Sequence, residues 1–395
     1  MWWFFSRPSK RYLPIPKGPY SVGCLDVMTK FSREGCFVRL HYPSSAEKSQ
    51  NDASRWVPWS PDECYIMGFS NVVKIWTFII KLTMWLLGEL YIPAEWEVKP
   101  NKSEKMPVIV YSHGFGASRF LCSSTATELA SWGYLVASVE HRDHSASITY
   151  YYDSPENRDK DKRTYVFHQG LFSGNNHYRK RNEQLKMRQS DCSQVMTLLY
   201  EINNGTATNI LKSKFDLKEF KDCLDLSSAC MMGHSFGGAT SVYTLAKDDR
   251  FKLGVILDCW MFPLKDETDL KIKQPMIFIN TQTFHIPSNL QALQKYVVNA
   301  DGTKHPLYTI RHTTHEHQTD TAIVWGSWLN LFMKKLDKSV ALKINNFLAL
   351  QFLHKHFGFP KDIDDCDSYI KENAENIVEG PIAYTRTAVK KFSVT

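Results

Sequence analysis

One short motif constrains this chain of 395 residues more than any other feature. Gly233-His234-Ser235-Phe236-Gly237 is a G-x-S-x-G pattern that occurs once; such a match arises by chance about 0.1 times in a chain of this length. The motif is preceded by an apolar run, 229–232, that predicts a buried strand, and it is followed by a predicted helix of small residues. A serine on such a sharp strand-to-helix turn is exposed for attack, and the glycines let the backbone pass closely. We therefore predict that Ser235 is a nucleophile; a glycine-rich turn without chemistry is the alternative.

A serine nucleophile needs a histidine base and a carboxylate that orients the base. On this kind of turn the partners follow in the order Ser, Asp or Glu, His. Asp258 ends the next predicted strand, 253–257, where catalytic side chains are presented; a turn-capping aspartate is the alternative reading. The loop after the last predicted strand holds three candidate bases, His312, His315 and His317. The residues alone do not rank these three, because a loop has no periodicity.

The same loop also contains Glu316 and Asp320, so its histidines raise the alternative of a metal site. No H-E-x-x-H pattern is present, and we therefore expect no metal here. We also expect His234, inside the motif, to be a packing residue.

A second motif, His113-Gly114-Phe115-Gly116, follows an earlier buried strand at 108–111. Attack on an ester produces an oxyanion that needs preorganised donors, typically two backbone N–H groups. One is expected from Phe236, directly after the nucleophile, and the other from Phe115 in this glycine-bearing loop. The two motifs in this order indicate ester hydrolysis more specifically than either motif alone.

Short apolar runs that alternate with helical patterns predict a mostly parallel sheet covered by helices, which here is the α/β-hydrolase fold. The predicted strands are 35–42, 108–111, 134–139, 229–232, 253–257, 275–279 and 307–310. The predicted helices are about 121–132, 177–202, 237–246, 321–335 and 339–356. Residues 148–178 are polar and predict a surface loop. Without a convincing linker we expect one domain over 1–395, with a core of about 18–357.

Composition excludes several classes of protein. Hydrophobic residues at 43% and charged residues at 23% are typical of a globular chain, and a net charge of +7 is too diffuse to indicate nucleic-acid binding. The nine cysteines are odd in number and form no C-x-x-C pair, which favours reduced thiols. The start of the chain lacks the order of a secretory signal. We therefore expect a cytoplasmic protein, with secretion as the alternative.

Several stretches of the chain resemble one family, the platelet-activating factor acetylhydrolases of the plasma and intracellular type II kind. The stretches are Gly18-Pro19-Tyr20-Ser21-Val22-Gly23-Cys24, Ser112-His113-Gly114-Phe115-Gly116-Ala117, Glu140-His141-Arg142-Asp143, Ser145-Ala146-Ser147, 233–240 and Asp258-Cys259-Trp260-Met261-Phe262-Pro263-Leu264. The resemblance implies a calcium-independent phospholipase A2 that hydrolyses a short or oxidised sn-2 acyl group. It also implies no metal or organic cofactor, and we infer no obligate protein partner.

Carried over residue by residue, the resemblance implies a triad of Ser235, Asp258 and His315, with Phe115 and Phe236 as oxyanion donors. The family's Gly-Ser-Val-His pattern reads His312-Thr313-Thr314-His315 here, so the register favours His315. Phe115 stands where the family commonly has leucine, which a backbone donor tolerates. Two other functions remain as alternatives: a carboxylesterase or lipase for another ester, and an inactive lipid-binding protein of the same fold.

Residues 65–87 form a strongly apolar segment that Lys74 and Lys81 interrupt, so no uncharged stretch is long enough to cross a bilayer. On one helix, Ser70, Lys74, Thr77 and Lys81 would form a narrow polar stripe beside a wide apolar sector. A buried packing helix is one reading. The other, which the resemblance favours, is contact with a membrane or lipid-particle surface. The predicted lipid-interface residues are Trp76, Ile79 and Ile80.

Overall fold

The computed structural model describes residues 10–46, 53–170, 176–298, 302, 304–326 and 335–382. Within these ranges the strands are β1 (Arg11–Tyr12), β2 (Val22–Met28), β3 (Phe37–Pro43), β4 (Trp56–Pro58), β5 (Leu90–Trp96), β6 (Met106–Ser112), β7 (Leu135–Val139), β8 (Ile148–Tyr151), β9 (Thr164–Phe167), β10 (Leu224–His234), β11 (Leu253–Leu257), β12 (Met276–Thr281), β13 (Leu307–Ile310) and β14 (Ile377–Glu379). The helices are α1 (Glu63–Val73), α2 (Thr77–Leu87), α3 (Ser123–Ser131), α4 (Pro155–Asp159), α5 (Asn176–Asn204), α6 (Phe236–Leu245), α7 (Pro287–Val297), α8 (Thr321–Trp325), α9 (Lys338–Phe357) and α10 (Asp364–Glu372).

Most strands belong to one large sheet. Its order is β1-β5-β2-β3-β7-β6-β10-β11-β12-β13-β14, and β4 pairs with β5 outside this path. The six strands from β7 to β13 in that order are parallel, so their carboxyl ends meet at one edge of the sheet. The short strands β1 and β14 join the sheet from outside the predicted core of 18–357.

The sheet separates two hydrophobic clusters because successive side chains of a strand point to opposite faces. On β6, Val108 and Val110 contribute to the cluster that includes α5 and α6, whereas Ile109 and Tyr111 contribute to the one that includes α3, α9 and α10. Strands that are buried on both faces are apolar without interruption, which is why the central strands were predictable.

Several predicted elements are confirmed, including the strands at β3, β6, β7, β10, β11, β12 and β13 and the helices at α3, α5, α6 and α9. The prediction of a plain loop over 148–178 is wrong, because this segment contains the antiparallel pair β8–β9 and the short helix α4. Of the helix predicted over 321–335, the described part is α8, and residues 327–334 lie outside the described residues.

The prediction of a single helix over the apolar segment is also wrong. The backbone turns at Lys74, whose φ of 56° is left-handed and whose N–H donates to the carbonyl of Ser70, and α2 begins only at Thr77. Among the described residues, no single helix is long and apolar enough to cross a membrane; α1 and α2 pass that test only as a pair, bent by 119°. We call residues 63–87, which comprise α1, α2 and the turn between them, the apolar hairpin.

The two faces of the apolar hairpin differ in exposure. Trp76 is 73% exposed and Ile79 is 43% exposed, whereas Ile80 is only 4% exposed. The prediction of Ile80 as a lipid-interface residue is therefore wrong, because its side chain points from α2 into the protein. The outer face carries further exposed apolar side chains, namely Phe78, Leu82, Trp85, Leu86 and Leu87.

Candidate active site

Ser235 occupies a sharp turn between β10 and α6. Its φ of 59° and ψ of −115° lie outside the regions that most side chains adopt, as expected of a strained strand-to-helix turn. A Cβ on Gly233 would lie 2.2 Å from the carbonyl oxygen of Gly237, and a Cβ on Gly237 would lie 1.9 Å from that of Ser112. The two motif glycines are therefore required by the close passage of the backbone.

Asp258 follows β11 and is fully buried. One carboxylate oxygen accepts from the Thr281 N–H at 2.6 Å, and the other accepts from the Thr281 hydroxyl at 2.6 Å. The second oxygen also lies 2.8 Å from Nδ1 of His315. The carboxylate is thus fixed by β12 and oriented toward one ring nitrogen of His315.

His315 begins a 3₁₀ turn after β13, and aromatic rings hold its side chain on two sides. The ring of Phe284 stacks on it at 4.2 Å between centroids, and the ring of His234 lies 4.3 Å away on the same measure. Burial lowers the pKa of His234 well below its usual value, so this neighbour is neutral. Because Nδ1 of His315 faces Asp258, Nε2 is the nitrogen left for a reacting proton.

The other two loop histidines have different surroundings. Nδ1 of His317 lies 2.8 Å from the Thr314 hydroxyl and accepts from the Thr314 N–H, so this buried ring caps its own turn. The backbone N–H of His312 donates to the side chain of Gln282. Among the described residues, only His315 of these three is within hydrogen-bond distance of Asp258.

Asp320, one of the two acidic residues in the metal alternative, is engaged by hydrogen-bond donors from other parts of the chain. Its carboxylate accepts from Trp59 Nε1 at 2.9 Å and from the N–H groups of Ser123 and Ser124 at the start of α3. Burial raises the pKa of Asp320 to about 6, although these donors act in the opposite direction. These contacts hold the segment after His315 against α3, and among the described residues the loop histidines form no ligand cluster with Glu316 or Asp320.

Another possible set of metal ligands is His234, Asp258 and His315, whose ligand atoms lie within 4.8 Å of one another. The two imidazole rings are tilted by 33° with their centroids 4.3 Å apart. Both Asp258 carboxylate oxygens already accept hydrogen bonds from Thr281, and one of them lies 2.8 Å from Nδ1 of His315. The arrangement fits a hydrogen-bonded acid–histidine pair better than a metal centre.

The loop from β6 approaches the serine closely. A Cβ on Gly114 would lie 3.3 Å from Cβ of Ser235, so this loop and the serine turn are in contact. Phe236 N–H is at the start of α6, where helix N–H groups lack intrahelical acceptors. Among the described residues, the N–H groups of Phe115 and Phe236 have no hydrogen-bond acceptor. Two unpaired donors beside a serine suit the stabilisation of an oxyanion.

Sequence reasoning missed one residue of this region. Arg188 on α5 is fully buried and donates to the carbonyl oxygen of His113 at 2.6 Å. The sequence indicates this residue only through its spacing. Arg181, Gln184 and Arg188 are three and four residues apart, so they share one face of α5, which is buried.

Sequence comparisons identify the family to which the chain belongs. The family model for platelet-activating factor acetylhydrolase, isoform II, matches residues 6–377. The chain belongs to this family. It is 37% identical over 372 residues to a platelet-activating factor acetylhydrolase of Bos taurus, a match that covers 93% of this chain and 82% of the relative. It is 34% identical to the protein of the same name from Gallus gallus, covering 93% and 89%.

A solved structure supports the fold. The ferulic acid esterase of Streptomyces cinnamoneus superposes with a TM-score of 0.60 at 16% identity, covering 88% of this chain and 93% of the esterase. At that identity the likeness concerns the fold alone. The predicted α/β-hydrolase fold, with its mostly parallel sheet, is confirmed.

Proposed function

We propose that this protein is a serine esterase that hydrolyses the short or oxidised sn-2 acyl ester of platelet-activating factor and related phospholipids. Ser235 is the nucleophile, His315 the base, and Asp258 the carboxylate that orients the base. The observation that carries the proposal is the 2.8 Å contact between Asp258, directly after β11, and His315, in the 3₁₀ turn after β13, beside the strained Ser235 turn. Family membership supplies the class of substrate.

The reaction follows from these positions. The Ser235 hydroxyl attacks the sn-2 carbonyl carbon while Nε2 of His315 takes its proton, and Asp258 stabilises the imidazolium that forms. The N–H groups of Phe115 and Phe236 stabilise the oxyanion. The lysophospholipid leaves with the proton from His315, and water then hydrolyses the acyl-enzyme with His315 again acting as base. No metal ion or organic cofactor is needed in these steps.

The apolar hairpin gives the enzyme a route to a lipid substrate. Its outer face exposes Trp76, Phe78, Trp85 and Leu86 by more than half each, with Lys74 at the turn. Exposed aromatic and apolar side chains beside lysines are typical of segments that lie in a membrane interface. We propose that Trp76, Ile79 and this face contact a membrane or lipid-particle surface. A cytoplasmic location stays a prediction.

A panel of phospholipids that differ only in sn-2 acyl length tests the function. We expect rapid release of acetyl and short acyl groups, slow release of palmitoyl, and a loss of kcat on the order of 10⁶ for Ser235→Ala. Ser227→Ala, an exposed serine on β10, is the matched control and should behave as wild type. Turnover of simple esters or triglycerides without turnover of short-acyl phospholipids would instead identify another esterase. No turnover of any ester by the folded wild-type protein would favour an inactive lipid-binding protein.

A further inference from the structure

One face of α5 carries polar side chains into the interior beneath the oxyanion loop, residues 113–116. Arg181, Gln184 and Arg188 are all buried on this face, and Arg188 is fully buried. A buried guanidinium is costly unless its charge is paired and its N–H groups are bonded. The partners of Arg188 therefore indicate what this residue does for the protein.

The charge of Arg188 is balanced and its donors reach the oxyanion loop. Nε lies 3.2 Å from the Asp143 carboxylate, and Nε and Nη2 donate to the Ser145 hydroxyl at 2.9 and 2.6 Å. Nη1 donates to the carbonyl oxygen of His113 at 2.6 Å, and Nη2 approaches that of Gly114 at 3.4 Å. The planar guanidinium thus contacts two consecutive carbonyl groups, which a lysine ammonium cannot reproduce.

The carbonyl group of Gly114 determines where the Phe115 N–H points. This carbonyl oxygen is also contacted by Nδ1 of His113 at 2.8 Å and by the Ala117 N–H at 3.3 Å. A trans peptide unit is planar, and its N–H points opposite to its C=O. Holding the Gly114 carbonyl toward Arg188 therefore turns the Phe115 N–H away from Arg188, and fixes its direction.

The second oxyanion donor is in contact with the same side chain. The guanidinium carbon of Arg188 lies 4.3 Å from the ring centroid of Phe236. About two turns earlier on α5, Arg181 makes a similar contact: its guanidinium carbon lies 4.1 Å from the ring centroid of Phe115. A single buried face of α5 thus contacts both residues whose N–H groups would bind the oxyanion.

We propose that Arg188 is a positioning residue, which holds the N–H group of Phe115 in the orientation that stabilises the oxyanion and packs against the ring of Phe236, the residue that supplies the second donor. The inference rests on the proposed esterase function and deepens it. Donors that are fixed before the reaction cost no reorganisation when the charge develops, which is why their placement affects the transition state more than substrate binding.

The test compares Arg188→Lys with Arg179→Lys on a short-acyl phospholipid. Arg188→Lys keeps a cation beside Asp143 but loses the paired carbonyl contacts, so kcat should fall about 10²–10³-fold, as when an oxyanion donor is removed, with KM unchanged. Arg179→Lys makes the same substitution at an exposed arginine of α5, so kcat should stay near wild type. A trifluoromethyl ketone analogue of the sn-2 ester, which places an oxyanion in the hole, should lose affinity for Arg188→Lys in parallel with kcat.

A structural role alone predicts a different pattern. A fall in kcat for Arg188→Lys without weaker ketone binding, or an equal fall for Arg179→Lys, would overturn the inference. If Arg188→Lys does not fold, Ser145→Ala carries the test: it removes the hydroxyl that anchors the guanidinium, and about a tenfold parallel loss in kcat and ketone affinity is expected. No loss there would also overturn it. An inactive wild-type protein would instead defeat the proposed function, whereas an active one with unaffected variants would defeat only this inference.

Discussion

The identity of the base is decided by contacts of single side chains. His315 lies between the ring of Phe284 and that of His234, with Nδ1 directed at Asp258, whereas Nδ1 of His317 contacts Thr314, three residues earlier in its own turn. A pattern of residues in a loop carries no information of this kind. The register came from family resemblance, and the geometry now gives it a physical basis.

His315→Ala should therefore reduce kcat by on the order of 10⁶, nearly as much as loss of the nucleophile. His317→Ala is the matched control: it removes the cap of the turn and should cost about 1 kcal/mol of stability while kcat stays close to wild type. Steady-state kinetics and thermal unfolding of both variants measure this. A dead His317→Ala enzyme with an active His315→Ala enzyme would show that the assignment of the base is wrong.

How much the residues themselves reveal differs from site to site. Ser235 could be predicted because its motif indicates both a sharp turn and a nucleophilic serine. Asp258 could be predicted because it follows an apolar strand. Arg188 could not, because α5 is rich in charged residues and its sequence is typical of a solvated helix. Only the packing of α5 against the oxyanion loop shows which charged side chains of this helix are buried.

At the scale of elements, the apolar hairpin shows the limit of periodicity. Neither proline nor glycine marks the break at residues 74–76, and the turn is made by Lys74 in a left-handed conformation. The composition of the segment was informative, but the direction of each side chain depends on where the second helix begins. Ile80 was misassigned for this reason, since one helix and two bent helices place it on different faces.

Trp76→Ala combined with Trp85→Ala should weaken binding to phospholipid vesicles by tenfold or more, because burying one large apolar side chain is worth about 1.5–3 kcal/mol. Turnover of vesicle substrate should fall, while turnover of a soluble short-chain ester and the melting temperature stay unchanged. Tyr200→Ala, an exposed aromatic on α5, is the control and should alter neither.

Ile80→Ala separates the two faces of the hairpin. It should destabilise the fold by about 2–5 kcal/mol, as expected for a buried residue, without selectively affecting vesicle binding. If the tryptophan double variant also melts earlier and loses both activities together, its side chains stabilise the fold and the interfacial proposal fails.

For the whole molecule, the parallel sheet brings distant parts of the chain to one edge. Ser235 follows β10, Asp258 follows β11, and His315 comes after β13, so strand ends assemble the site. The central strands were predictable from uninterrupted apolar runs. The edge strands β1 and β14, the inner strand β5 and the pair β8–β9 were not, because their formation depends on pairing with partners distant in sequence or on segments of mixed polarity.

The central claim is that Ser235 is the nucleophile of an esterase, and covalent labelling tests it most directly. A fluorophosphonate reacts with an activated serine, so intact-mass measurement and peptide mapping report where the label is attached. We predict one label per chain, on Ser235, with turnover of short-acyl phospholipid lost in proportion to labelling and no label on folded Ser235→Ala protein. A label on another residue, or full turnover by completely labelled enzyme, would contradict the account.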